Sequence, residues 1–95
     1  MCTTILNRAA IEGSGKGQNG WFKISGVNVS YDHPYHSPLE HAMTIDFVNE
    51  GEGPGARVAV ELSLESARHL VKCVEGVLAQ ADAGGYQDEI AGGGR

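Results

Sequence analysis

The chain has few basic residues and no long apolar run. It contains seven lysines and arginines against twelve aspartates and glutamates, and its formal net charge is -5. Nucleic-acid binders need clustered basic charge to displace counterions from phosphates, so this composition argues against a nucleic-acid partner. No apolar run approaches the roughly 18 residues that a membrane-spanning helix needs. We therefore expect neither nucleic acid nor a membrane as a partner.

Cysteine is scarce as well, and the first residues lack the features of an export signal. Cys2 and Cys73 are the two thiols. A basic start followed by an apolar segment, which marks a secretory signal, is missing. Two thiols in a chain without such a signal are more often free than paired, because the cytoplasm keeps thiols reduced. These features predict a cytoplasmic protein with free cysteines.

A chain of this length is expected to form one domain. Ninety-five residues leave no room for a second hydrophobic core. We assign residues 1–83 to the domain and residues 84–95 to a glycine-rich C-terminal tail. Any site must then lie on this one core or between copies of the chain, so self-association is expected.

Short apolar segments separated by glycine-rich stretches predict four strands and one helix. Side-chain alternation predicts strands at residues 2–11, 21–31, 41–49 and 56–62. Glycine and polar residues predict turns at residues 12–20 and 50–55. The apolar spacing after the N-cap Ser63 predicts a helix to about Ala83, with its apolar side covering the sheet. The fold class is therefore α+β: a four-stranded antiparallel meander followed by one C-terminal helix packed on one face.

The second strand has an irregular pattern. Phe22 and Ile24 have one parity, Val27 and Val29 have the other, and Gly26 lies between the two pairs. One extra residue at Gly26, a β-bulge, would bring these four side chains and Tyr31 to one face.

The opposite face of the sheet is also predicted to carry apolar side chains. Alternation places Leu6 and Trp21 there, among polar and charged residues. One helix covers only one face of a four-stranded sheet, so a second copy on the other face would bury both side chains. We expect a homo-oligomer, a dimer or larger. A solvated face with two isolated apolar residues is the alternative.

The residues that could bind a metal or act in catalysis gather between the second and third strands. In a meander, the end of strand two, the start of strand three, the start of strand one and the start of the helix share one edge of the sheet. His33, His36 and His41 can approach one point there if the connection folds back. Asp32 and Glu40 add carboxylates to the same stretch.

This set of residues has three interpretations. His33, His36 and His41 with Glu40 are ligands that zinc, iron, manganese or nickel would accept, with an open position for catalysis. Without a metal, the same side chains and Asp32 would act in acid–base chemistry or bind a small-molecule ligand. In the third, they only cap turns and bond to loop carbonyls. No standard metalloenzyme spacing is matched, so all three stay open.

Cys2 belongs to the same predicted edge. A thiol beside a helix N-terminus and an imidazolium ionises more readily, which suits it as a nucleophile or ligand. Removal of Met1 would place a free amine beside that thiol. The alternative is a small, half-buried residue at the start of a strand.

Several segments form a combination typical of one family: Met1-Cys2-Thr3, Gly13-Ser14-Gly15-Lys16-Gly17 with Gly20-Trp21-Phe22, Tyr31-Asp32-His33-Pro34 and Ser37-Pro38-Leu39-Glu40-His41-Ala42 with Ile45-Asp46-Phe47, and Val60-Glu61-Leu62-Ser63. Together they resemble a family of small bacterial proteins catalogued only as a domain of unknown function, over residues 1–83. The resemblance supports Asp32, His33, Glu40 and His41 as a set. It implies no activity, cofactor or partner.

Two functions follow as hypotheses. The first is a small homo-oligomeric enzyme or metal-site protein that acts on a small molecule at this edge. The second is a non-catalytic oligomeric binding or accessory protein whose histidines are structural. The small size of the chain favours the second, unless subunits share a site.

Overall fold

The computed structural model describes residues 5–88 as one antiparallel sheet followed by one helix. The elements are β1 (Ile5–Gly17), β2 (Gly20–Asp32), β3 (Ala42–Val48), a 3-10 helix (Glu50–Glu52), β4 (Arg57–Leu62) and α1 (Leu64–Ala83). Each strand pairs with the next along the chain, which gives the sheet order β1-β2-β3-β4. The predicted α+β class and the meander are therefore confirmed.

The hairpin of β1 and β2 is longer than the sequence analysis predicted. Residues 12–20, expected to be a turn, instead extend both strands, and only Gln18 and Asn19 form the turn between them. We call residues 12–24 the hairpin arm. Its tip lies near the loop before β4, because a Cβ on Gly55 would lie 3.0 Å from the side-chain nitrogen of Asn19.

Glycine at alternate positions lets the arm pack closely. A Cβ on Gly15 would lie 3.0 Å from the Cδ1 atom of Ile24. A Cβ on Gly17 would lie 3.2 Å from both the Arg57 carbonyl oxygen and the Phe22 ring. Alternate residues of a strand share a face, so these glycines leave room for bulky neighbours. The turn prediction was wrong because glycine was interpreted as a turn former.

The irregularity of the hairpin lies in β1. Ala10 pairs with Gly26 and Gly13 pairs with Ile24, so two residues of β1 face Ser25 alone. The β2 strand continues through Gly26, which also pairs with β3. The predicted bulge at Gly26 was therefore wrong, since the extra residue belongs to the partner strand.

The register sorts the side chains of the sheet into two faces. The mainly apolar face carries Ile5, Asn7, Ala9, Val27, Val29, Tyr31, Met43, Ile45, Phe47, Val58, Val60 and Leu62. The more polar face carries Leu6, Arg8, Ala10, Asn28, Ser30, Asp32, Ala42, Thr44, Asp46, Val48, Arg57, Ala59 and Glu61. Because β2 is continuous, Trp21 lies on the same face as Val27. Leu6 pairs with Ser30 and lies on the other face. Trp21 and Leu6 therefore do not share a face, contrary to the prediction.

Helix α1 begins where its N-cap was predicted. The Ser63 hydroxyl accepts a hydrogen bond from the Ser66 backbone N–H at 3.1 Å, which satisfies one of the unpaired donors of the first turn. The helix contacts β3 and β4 near its start, where Ala67 is buried. Farther along, Val77 and Leu78 are 64% and 58% exposed, so α1 does not cover the apolar face along its length. No helix within residues 5–88 has the length and apolarity to cross a membrane.

The described chain encloses little apolar volume. Its buried apolar residues, each at most 8% exposed, are Ile24, Ala42, Ala56 and Ala67. The radius of gyration is 15.8 Å, whereas a compact domain of this length has about 12 Å. Apolar side chains that one chain would normally bury are therefore left at its surface.

Replacing Gly17 with valine should destabilise the fold, because its side chain would meet the fixed carbonyl of Arg57. We expect Gly17→Val to lower the free energy of unfolding by about 1–3 kcal/mol. Gly13→Val is the matched control, since no atom lies within 4 Å of a Cβ there. Urea denaturation measures both variants, and equal effects would contradict the close-packing explanation.

Candidate functional site

The strand ends that were predicted to meet at one edge do meet there. Asp32 and Ala42 form the last pair between β2 and β3, so the next residues, His33 and His41, are neighbours. The pairing of β3 with β4 brings the start of α1 to the same edge. Cys2, the other predicted member, lies outside the described residues.

Two imidazoles and a phenol stack at this edge. The ring centroids of His33 and His41 are 4.6 Å apart, and those of His41 and Tyr31 are 5.5 Å apart. The Nδ1 atom of His33 lies 3.0 Å from the Glu40 carbonyl oxygen and therefore donates to it. The Asp32 carboxylate accepts the backbone N–H of His33 at 2.7 Å. The two imidazoles therefore lie against each other across the mouth of the hairpin. We call these three rings the histidine stack.

The third histidine and the predicted carboxylate ligand are placed differently. His36 is exposed, and its backbone N–H bonds to Glu61 on β4. Glu40 contributes its carbonyl oxygen to His33. Among residues 5–88, no group of three or more His, Cys, Asp or Glu side chains is arranged to hold a metal ion. The described residues alone do not assemble the predicted ligand set of His33, His36, His41 and Glu40, and metal binding stays a prediction.

The connection between β2 and β3 is held by a residue that the sequence analysis did not single out. We call residues 33–41 the histidine loop. The Glu61 carboxylate accepts the backbone N–H groups of Tyr35, His36 and Ser37 at 2.6, 3.0 and 2.9 Å. Successive N–H groups that point at one anion form a nest. The loop is thereby fastened to the polar face of the sheet.

These hydrogen bonds also set the charge of the carboxylate. The N–H groups of Tyr35 and then Ser37 are the main causes that lower the pKa of Glu61 to about 2. Burial opposes this shift, and the N–H group and charge of His36 add to it. Glu61 is therefore an anion at neutral pH. The sequence signal was a single carboxylate in the alternating strand Arg57–Leu62, but alternation shows only which face it lies on.

An open cleft lies beside this contact on the polar face. Its volume is about 490 Å³, and it is lined by Tyr35, His36, Ser37, Thr44, Arg57, Ala59 and Glu61. The loop supplies one wall and strands β3 and β4 supply the other. We call it the polar cleft.

Arg57 is held in a fixed orientation in this cleft. Its Nε atom donates to Asp46 Oδ1 at 2.9 Å and its Nη2 atom donates to Asp46 Oδ2 at 3.1 Å. Such a two-pronged contact fixes the plane of the guanidinium as well as its position. The hydrogen bond and the charge of Asp46 raise the pKa of Arg57.

Comparison with protein families places the chain in a defined group. The model of DUF6295, a family of unknown function, matches residues 1–87. The chain belongs to this family. The match includes the sheet, the helix and the histidine loop, and it confirms the resemblance to a domain of unknown function. No curated protein and no solved structure matches the DUF6295 chain. Its function is therefore argued from the site.

Replacing Glu61 with glutamine should release the histidine loop. Glu61→Gln removes the negative charge and leaves one acceptor oxygen for three N–H groups. We expect faster amide hydrogen exchange at Tyr35, His36 and Ser37. The control Glu12→Gln changes a carboxylate in the hairpin arm and should leave this exchange unaltered. Unchanged protection in Glu61→Gln would show that other contacts hold the loop.

The same three N–H groups should report the ionisation of Glu61. Its folded pKa, about 2, is below the ordinary value of 4.5. The ionised contact therefore contributes stability that is present above the ordinary pKa and is lost as the pH falls toward the folded pKa. An NMR titration of these amides should give a midpoint near pH 2, provided that the fold persists. A midpoint near the ordinary value would contradict the assignment.

Proposed function

We propose that this DUF6295 protein is a small homo-oligomeric binding protein that takes a small polar molecule in the polar cleft. The observation that carries the proposal is the fastening of the histidine loop by Glu61 through three N–H groups. A loop held in one shape costs less entropy when it binds a ligand, because its order already exists.

The chemistry of the cleft indicates the class of ligand. Tyr35 and His36 from the loop and Thr44 and Arg57 from the strands supply a phenol, an imidazole, a hydroxyl and a guanidinium. These groups donate and accept hydrogen bonds, and few apolar side chains line the walls. A polar ligand with both donors and acceptors fits such a surface better than a hydrocarbon does.

The charges beside the cleft favour binding over proton transfer. General acids and bases work best with a pKa near the working pH. The pKa of Glu61 is lowered and that of Arg57 is raised, so both move away from neutrality. We therefore propose that both residues act as fixed charges, Glu61 orienting the loop and Arg57 orienting the ligand.

Self-association is the second part of the proposal. It is supported by the apolar side chains that the described chain leaves exposed on α1 and on the sheet. Contiguous apolar surface of this kind is typical of protein–protein contacts. A dimer would bury that surface and would leave the polar cleft accessible.

A screen of small carboxylic acids, sugars and amino acids by NMR tests the binding proposal. We expect shift changes to concentrate at Tyr35, His36, Thr44 and Arg57. His36→Ala should weaken binding by about tenfold, because the loss of one polar contact changes the dissociation constant by roughly that factor. The control His69→Ala, on the exposed side of α1, should bind as the native protein does. Shift changes elsewhere, or none with any compound, would contradict the proposal.

A second candidate function is a divalent-metal or acid–base site at the histidine stack. It is supported by the 4.6 Å separation of the His33 and His41 rings at the edge of the sheet. Zinc, iron, manganese or nickel would need further ligands besides two imidazoles. His36, Glu40 and Asp32 are the described residues closest in sequence that have suitable donor atoms.

Elemental analysis of the untagged protein separates the two candidates. The metal site predicts stoichiometric metal that is lost in the double variant His33→Ala/His41→Ala and is retained in His69→Ala. Circular dichroism checks that the double variant keeps its fold. The absence of metal after purification and after incubation with each of the four ions would reject the metal site.

A further inference from the structure

We propose that α1 pairs antiparallel with α1 of a second copy, around a two-fold axis at Val74. This inference rests on the homo-oligomer proposed above and specifies its interface. Beyond its first turn, the helix exposes Leu70, Val71, Val74, Val77 and Leu78, which are 43 to 64% exposed. Their spacing places them on one side of a helix. We call them the helix stripe.

The order of residues in the stripe is symmetric. Leu70 and Leu78 are equally distant from Val74, and so are Val71 and Val77. In a two-fold interface between antiparallel helices, a residue before the axis contacts the residue equally far after it. Leucine would therefore meet leucine, valine would meet valine, and Val74 would meet its own copy. A foreign partner would not require such symmetry.

Charges along α1 favour the antiparallel direction. The first half of α1 carries Glu65, Arg68 and Lys72 and is net positive, whereas the second half carries Glu75 and Asp82 and is net negative. Antiparallel pairing around Val74 places the basic half of each helix beside the acidic half of the other. A parallel pair would place like-charged halves together. Asp82 also lies near the negative end of the helix dipole, where an acidic side chain is unfavourable unless a cation compensates it.

The sheet extends the same surface. A groove of about 400 Å³ between α1 and β3 is lined by Met43, Leu64, Ala67, Arg68, Val71, Lys72 and Glu75. In the antiparallel pair, the end of the partner helix would approach the mouth of this groove. Arg68 on the wall of the groove would then lie near the acidic half of the partner helix.

The area is adequate for a dimer. The exposed parts of the five stripe side chains amount to roughly 400 Å², about half of the ~800 Å² that each partner buries in a stable complex. In the proposed pair, the groove and the flanking charged side chains would supply the remainder. Packing of two apolar helix surfaces at 8–10 Å between axes is the usual geometry for such contacts.

Val74→Glu tests the interface, because it would place two carboxylates at the axis. We expect the dissociation constant of the dimer to rise at least about 100-fold, since like charges at an interface cost several kcal/mol. Sedimentation equilibrium measures the mass, and circular dichroism confirms that the helix persists. His69→Glu, on the exposed side of α1 away from the stripe, is the control and should remain dimeric.

A cross-link gives an independent measurement that does not depend on weakening the protein. In a Cys2→Ser/Cys73→Ser background, Val74→Cys should form a disulfide-linked dimer on mild oxidation, because the axis brings the two Cβ atoms close together. His69→Cys in the same background should not. The charge order is tested by Arg68→Asp, which should weaken the dimer, and by Arg68→Asp/Asp82→Arg, which should restore it.

The outcomes separate this interface from the proposed self-association. A native protein that is monomeric at micromolar concentration contradicts both. A native dimer that survives Val74→Glu, and that the cysteine at position 74 does not cross-link, contradicts only the helix interface. Cross-linking at position 74 without recovery in the double charge variant contradicts the assigned charge pairing.

Discussion

The carboxylate of Glu61 is the contact on which the arrangement of the candidate site depends. The histidine loop joins two strands and has few apolar contacts of its own, since most of its residues are exposed. Hydrogen bonds from three N–H groups to one anion give it a defined path across the polar face. They also place Tyr35 and His36 on the wall of the polar cleft, while the two stacked histidines stay at the edge.

The shortage of enclosed apolar volume is the second constraint on this protein. The sheet has one mainly apolar face, and the described part of α1 contacts the sheet near its start, where Ala67 is buried. A helix of 20 residues that contacts its own sheet at one end has a free apolar side over most of its length. The hydrophobic effect favours covering that side, since its contribution grows with the apolar area removed from water. The symmetry of Leu70 to Leu78 about Val74 makes a second copy the partner that fits.

Local patterns predicted the elements of the fold well. The alternation in β3 and β4 and the helical spacing after Ser63 depend on neighbours in sequence, and both were confirmed within one or two residues. The hairpin arm was wrong because glycine is compatible with a turn and also with a closely packed strand. The position of the bulge was wrong because the change of parity in β2 was interpreted as an extra residue. The strand is continuous, so Phe22 and Val27 lie on opposite faces, and only the pairing with β1 shows where the extra residue is.

In the candidate site, too, some features follow from local sequence and others from contacts between distant residues. The sequence by itself determined that His33, His41 and the start of α1 share one edge, because the order of antiparallel strands decides which ends meet. Tertiary structure alone decided that His36 lines the polar cleft and that Glu61 holds the loop, through contacts 24 to 26 residues apart in the chain. Every residue except proline carries the same backbone N–H group. No pattern of side chains can therefore mark which of these groups a distant carboxylate will bind.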